Sequence, residues 1–230
     1  MEAIVLAGGF GTRLKEVVPD LPKPMAPIGT RPFLEILLLS LARKGFKRVV
    51  LSLGYMADRI VEYFGNSVAG MKLVYEIENS PLGTGGAIRQ SLKRVETDHV
   101  FIFNGDTYLE LEVDEVEKIW QTYNLPIIVA REVSDTSRYG RLQTLNGFVI
   151  GFLEKGVPGV GLVNAGCYVF PTTIFSDVNL DEAFSLENDF LTEAVKRNKF
   201  KVFVSRGYFI DIGIPEDYNR AQVELPGVVS

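Results

Sequence analysis

Between residues 2 and 123, short β-rich apolar runs alternate with longer segments of helical periodicity. This alternation constrains the fold more than any other feature. It predicts strand 2–6, helix 32–44, strand 48–53, helix 56–64, strand 72–77, helix 84–95, strand 99–103 and helix 113–123. Strands separated by helices cannot pair as hairpins, and the economical solution is a mostly parallel sheet with helices on both faces. The runs "VVLSL" and "VFIF" are apolar nearly throughout, as expected of strands covered on two sides. After Pro126 the spacing tightens: "IIVAREV", "GRLQTL", "FVIGFLEK" and "VNAGCYVF" follow closely. A helix at 189–198, a strand at 200–204 and a last helix from Pro215 complete the pattern. The expectation is one domain over 1–230, in which an α/β half that binds one ligand continues into a mixed-sheet half that closes over a second. No linker or internal repeat interrupts it.

The chain's 230 residues, 47% of them hydrophobic, suffice for one substantial core. A net charge of −5 gives no general affinity for polyanions, so nucleic acid is not an expected partner and any phosphate site must concentrate positive charge locally. The single cysteine, Cys167, lies in an apolar run, excludes an intramolecular disulfide and reads as a core side chain. The amino terminus enters a strand without a basic segment ahead of an apolar one. The most apolar helix candidate carries Glu35 and ends in Arg43 and Lys44, too short and interrupted to span a bilayer. A cytoplasmic protein with no membrane partner is expected.

In open α/β sheets ligands settle outside the carboxyl ends of the strands. Here the first strand ends in "LAGGFGTR", the third in "EIENSPLGTGG" and the fourth in "FNGD", so the unusual chemistry collects at one sheet edge. Gly8, Gly9 and Gly11 let backbone N–H groups approach phosphate oxygens; Arg13 can fork onto those oxygens and Lys23 can add a point charge. The Walker tripeptide Gly-Lys-Ser/Thr is absent. The dinucleotide fingerprint is also broken, because Leu14 stands where its third glycine belongs.

"LAGGFGTRL" and "LPKPMAPIGTRPFLE", followed in order by "PLGTGGAI", "FNGD", "SRYGRL", "FLEK", "NAGCYVF", "SLENDF" and "DIGIPEDY", resemble the motifs of the sugar-phosphate nucleotidylyltransferases. The resemblance runs from residue 6 to 218. It implies a Rossmann-like α/β/α three-layer fold with a mostly parallel, mixed sheet, a nucleotide half at about 1–125 and a sugar half at about 126–222. The implied reaction joins a sugar 1-phosphate to a nucleoside triphosphate and releases pyrophosphate. A phosphate oxygen attacks the α-phosphorus in line, so positioning and charge neutralisation carry catalysis. No nucleophilic His or Cys is required, and the lone His99, opening a strand, reads as structural.

The same resemblance assigns Arg13 to the leaving pyrophosphate, Lys23 to the triphosphate or the attacking phosphate, and Asp106 and Asp211 to Mg²⁺. Leu6, Ala7, Gly8, Gly9, Gly11, Thr12, Pro81, Gly83, Thr84 and Gly105 would line the nucleotide site. Glu154, Lys155, Gly140, Asn164 and Gly166 would line the sugar phosphate site. The usual proline after the Glu-Lys pair is replaced by Gly156, so the loop there departs from the pattern.

Glu78 addresses the base. Guanine presents N1–H and N2–H₂ side by side, and a carboxylate offers two acceptors to match them, whereas uracil and thymine suit an amide better. Glu76 is the other candidate. The expected partners are GTP and a sugar 1-phosphate, with a homodimer left open. Within the family the sequence looks most like the heptose 1-phosphate guanylyltransferases, then the mannose 1-phosphate enzymes. A non-catalytic nucleotide-sugar sensor is the alternative from another class, and retention of Arg13, Lys23, Asp106, Lys155 and Asp211 argues against it.

Overall fold

The computed structural model describes residues 1–9, 11, 14, 17–153 and 156–229. The elements run β1 (Glu2–Leu6), β2 (Pro27–Ile28), β3 (Arg31–Pro32), α1 (Phe33–Arg43), β4 (Arg48–Leu53), α2 (Ala57–Phe64), β5 (Ser67–Val68), β6 (Met71–Ile77) and α3 (Gly83–Leu92). They continue with β7 (His99–Asn104), β8 (Thr107–Leu109), α4 (Val113–Tyr123), β9 (Ile127–Val133), β10 (Arg141–Leu145), β11 (Phe148–Leu153) and β12 (Gly161–Pro171). A π-helical turn, Leu186–Leu191, leads into α5 (Thr192–Arg197), and β13 (Phe200–Ser205), β14 (Phe209–Asp211) and α6 (Pro215–Val229) follow.

Ten strands form one sheet in the order β10-β11-β13-β9-β12-β7-β1-β4-β6-β5. Strands β7, β1, β4 and β6 are mutually parallel, as the helix-spaced pattern requires. The later strands form the mixed part: β12 runs antiparallel between β7 and β9, and β13 lies parallel to β9.

Alternation along the strands builds the three layers. Ala3, Val5, Val49, Leu51, Phe101 and Phe103 point to one face, where α1, α2 and α4 bring Leu34, Leu37, Ile60, Val116 and Trp120. Ile4, Val50, Val100 and Ile102 point to the other, covered by Ile88 of α3, Phe190 of the π turn and Val195 of α5. Both faces of the central strands are buried, which is why "VFIF" carries no polar alternation. A third cluster packs Tyr218, Ala221 and Leu225 of α6 against Phe33, Tyr108 and Ile210.

Cys167 is free and buried in the core, and burial pushes its thiol pKa up. His99 opens β7, hydrogen-bonds Asp98 at 2.6 Å and Glu117 at 3.0 Å, and stacks on Trp120 at 4.7 Å. Its neighbours give it the structural place expected. Among the described residues no helix is long and apolar enough to cross a membrane.

Candidate active site

The parallel strands place their carboxyl ends on one edge. From β1 the sheet grows through β4 to β6; the chain then returns to the opposite flank of β1 as β7. This reversal opens a crevice beyond the ends of β1 and β7. A cavity of about 480 Å³ opens at this edge. Of the residues expected from the sequence, Leu6, Ala7, Gly8, Gly9, Lys23, Glu78, Pro81, Gly83, Thr84, Gly105 and Asp106 line it. Gly11 packs against the Lys23 side chain. Thr12, Arg13, Glu154 and Lys155 lie outside the described residues.

Ser52, Gly54, Tyr55, Asn79, Ser80 and Asn104 also line the cavity and were missed by the sequence reading. The signal for the first three was present. They close β4 at "LSLGY", the one parallel strand end the motif search passed over, and the strand-end rule applies to it equally. Gly105 keeps the crevice narrow: a Cβ there would lie 2.5 Å from the Leu6 carbonyl oxygen, which accepts the Gly105 N–H at 2.8 Å.

Glu78 stands on the cavity wall just past β6. Its Oε2 accepts the Leu82 N–H at 3.1 Å and its Oε1 the Ser52 hydroxyl at 3.4 Å. Burial raises its pKa, and those two hydrogen bonds oppose the rise. Glu76 is occupied elsewhere. Its carboxylate accepts from Gln90 of α3 and from Arg94 in the turn just after α3, each at 2.7 Å, and it does not border the cavity. Of the two carboxylates, only Glu78 lines the cavity.

Also lining the cavity, Lys23 forms an ion pair with Asp106 and is itself largely buried. Strands β8 and β14 pair antiparallel with Asp211 opposite Thr107, and the Ile212 N–H donates to the Asp106 carbonyl at 2.9 Å. This small sheet brings two aspartates distant in sequence together. Burial and then the charge of Asp106 raise the Asp211 pKa, against the pull of Lys23 and of the Gly213 N–H, which donates to Asp211 Oδ1 at 2.6 Å.

Of the expected sugar residues that are described, Gly140, Asn164 and Gly166 do not line this cavity. Gly140 precedes β10 and lies beside the Leu153 carbonyl. Asn164 and Gly166 sit at a bulge in β12. Asn164 Nδ2 donates to Tyr168 Oη at 2.6 Å and Asn164 Oδ1 accepts the Gly166 N–H at 3.1 Å. Gly166 holds φ +66°, and a Cβ on it would come within 2.6 Å of Asn104 Nδ2. Asn104 lines the cavity, and its Oδ1 is buried with no hydrogen-bond partner among the described residues.

A parallel-sheet crevice with a glycine-lined entry, a buried lysine and two converging aspartates suits a polyphosphate substrate. Residues 2–226 match the nucleotidyl transferase family, and the chain belongs to it. Its relatives include a D-glycero-α-D-manno-heptose 1-phosphate guanylyltransferase of Aneurinibacillus thermoaerophilus, 42% identical over 98% of each chain. A protein of the same description from Campylobacter jejuni is 42% identical over 95% of this chain and 97% of its own. Among solved structures, HddC from Yersinia pseudotuberculosis superposes with a TM-score of 0.88 at 41% identity, covering 97% of this chain and 99% of that one. HddC has also been solved complexed with GMP-PN. The nucleotidyltransferase fold and class expected from the motifs are borne out.

Proposed function

We propose that this protein joins GTP to D-glycero-α-D-manno-heptose 1-phosphate, giving GDP-heptose and pyrophosphate. One observation carries the guanine assignment: the half-buried Glu78 carboxylate borders the cavity while Glu76 is held by Gln90 and Arg94. The heptose assignment is supported by the described activity of the two bacterial relatives. Residues of about 1–125 would hold the nucleotide and those of about 126–222 the sugar.

A phosphate oxygen of the sugar 1-phosphate bonds to the α-phosphorus as the bond to the β-phosphate bridge breaks, and pyrophosphate leaves opposite the attack. The protein's task is to hold two polyanions in line. Lys23 supplies positive charge at the phosphate end of the cavity, Arg13 meets the leaving pyrophosphate, and Lys155 meets the sugar phosphate with Glu154 on its hydroxyls.

Asp106 and Asp211 fit a Mg²⁺ ion by their chemistry. Two carboxylates held together, one with its proton affinity raised by burial and by the other's charge, form an arrangement that a divalent cation relieves. Among the described residues no cluster of three or more His, Cys, Asp or Glu side chains forms a fuller cage, in keeping with an ion that takes one or two protein carboxylates and completes its shell with water and phosphate oxygens. When bound, Mg²⁺ would supply charge neutralisation to the phosphates.

The test is pyrophosphate release from GTP, UTP, dTTP, CTP and ATP against heptose, mannose and glucose 1-phosphates with Mg²⁺. The expected outcome is highest kcat/KM with GTP and the heptose. Preference for UTP overturns the base assignment, preference for mannose the sugar, and no turnover with any pair the enzyme reading.

A further inference from the structure

The "SLENDF" segment is a motif that the reaction described above leaves without a task. Its carboxylate, Glu187, lies between the two proposed substrate halves. Thr84, on the cavity wall in the first turn of α3, donates its hydroxyl to Glu187 Oε2 at 3.1 Å and accepts the Leu186 N–H at 2.9 Å. Tyr168, fully buried on β12, donates to Glu187 Oε1 at 3.1 Å and accepts from Asn164 Nδ2 at 2.6 Å. Asn164 in turn holds the Gly166 N–H, and with it the β12 bulge that presses on Asn104.

The direction of each bond is forced. An ionised carboxylate only accepts, so both hydroxyl protons must point at Glu187 and both hydroxyl oxygens are left to receive an N–H. The chain Thr84–Glu187–Tyr168–Asn164 therefore has one polarity from the nucleotide wall to the β12 bulge. Its nucleotide end is rigid. The Gly85 and Gly86 N–H groups both donate to the Phe184 carbonyl, at 3.0 and 3.3 Å, and Arg89 donates to the carbonyls of Leu180, Asp181 and Glu182. Segment 180–187 therefore moves with α3, and a shift of Thr84 is felt at Tyr168 through Glu187.

We propose that Glu187 is a positioning residue that couples nucleotide occupancy to sugar phosphate affinity through Thr84 and the Tyr168–Asn164 pair. This rests on the two-site reading above. By linkage, each ligand must then tighten the other by the same factor. The test measures the Kd of D-glycero-α-D-manno-heptose 1-phosphate with and without an α,β-methylene GTP analogue, and the reverse pair of titrations.

A roughly tenfold mutual tightening is expected in the wild type, at the low end of the usual range for coupled sites. Glu187→Gln, which turns one acceptor into a donor facing hydroxyls already receiving an N–H, should bring the factor near one. Thr84→Val should do the same, and Thr84→Ser, which keeps the hydroxyl, should restore it. A merely structural role would lower thermal stability or weaken both ligands while leaving the factor intact, and that result overturns the inference, as does a factor of one in the wild type. Failure of either ligand to bind the wild type at all overturns the two-site reading itself, and the inference with it.

Discussion

Glu78 is subject to two opposed demands. To read guanine it must stay ionised, yet its partial burial favours the proton. Its folded pKa lies above the unfolded value, so its favourable contribution to stability is complete below the unfolded pKa and is lost as pH rises through the folded one. At neutral pH the ionised side chain therefore costs some stability. Glu78→Gln should leave Tm unchanged or raise it slightly in a thermal melt. The same change should lower the GTP-over-UTP ratio of kcat/KM by about ten- to hundredfold, the worth of a charge-assisted hydrogen bond. The wild-type ratio should also fall as pH drops through the raised Glu78 pKa, earlier than for an ordinary glutamate, and the glutamine variant should lack that limb. An unchanged ratio would refute the base assignment. Arg13→Ala should lower kcat by at least about 10² with the fold retained by circular dichroism, the usual effect of losing one preorganised donor. The sequence pointed to Glu78 but left Glu76 open, because the pattern does not fix where the strand ends and hence which of the two carboxylates leaves it. What separates them is Gln90, from the following helix, and Arg94, from the turn after it, which both reach Glu76.

The crevice depends on how closely β1 and β7 end. Gly105→Ala should push a Cβ into the Leu6 carbonyl region and spread the two strand ends. A cost of about 1–3 kcal/mol is expected from overpacking, read by denaturant titration, together with a larger loss in GTP affinity than in stability. Equal affinity in the variant would mean the strand ends do not shape the nucleotide site. The helix-spaced strands were legible because each buried run is long enough to show its pattern; α4, Val113–Tyr123, matches its expected span. The helix expected at 189–198 instead starts earlier, as a π turn over Leu186–Leu191 before α5. Ser185 caps this turn by accepting the Asn188 N–H at 3.1 Å, and the Thr192 hydroxyl hydrogen-bonds the carbonyls of Glu187 and Asn188 where the turn gives way to α5. Hydrophobic period alone does not register such side-chain bonds. Strands β8 and β14 are three residues each, too short for a period to be read, yet their pairing is what carries Asp211 to Asp106.

At the scale of the whole molecule, β12 decides how the two halves behave. It pairs with β7 over Cys167–Pro171 and with β9 over Gly161–Val169, so backbone hydrogen bonds join the parallel part of the sheet to the mixed part. The buried clusters do the same, since residues of β1, β7, β9 and β12 share each face. A boundary near residue 125 therefore does not divide the core, and unfolding should be a single transition. A nucleotide bound only at the β1–β7 crevice should then stabilise the entire chain. At a GTP concentration of about 100 times its Kd, with Mg²⁺, mass action adds about 2.7 kcal/mol. For a chain of this length that corresponds to a rise of roughly 5–10 °C in Tm. Calorimetry should show the whole endotherm moving with GTP and much less with UTP at the same concentration. Two separated endotherms, with only one shifted by GTP, would mean that β12 does not unite the halves energetically and that each half has a stability of its own.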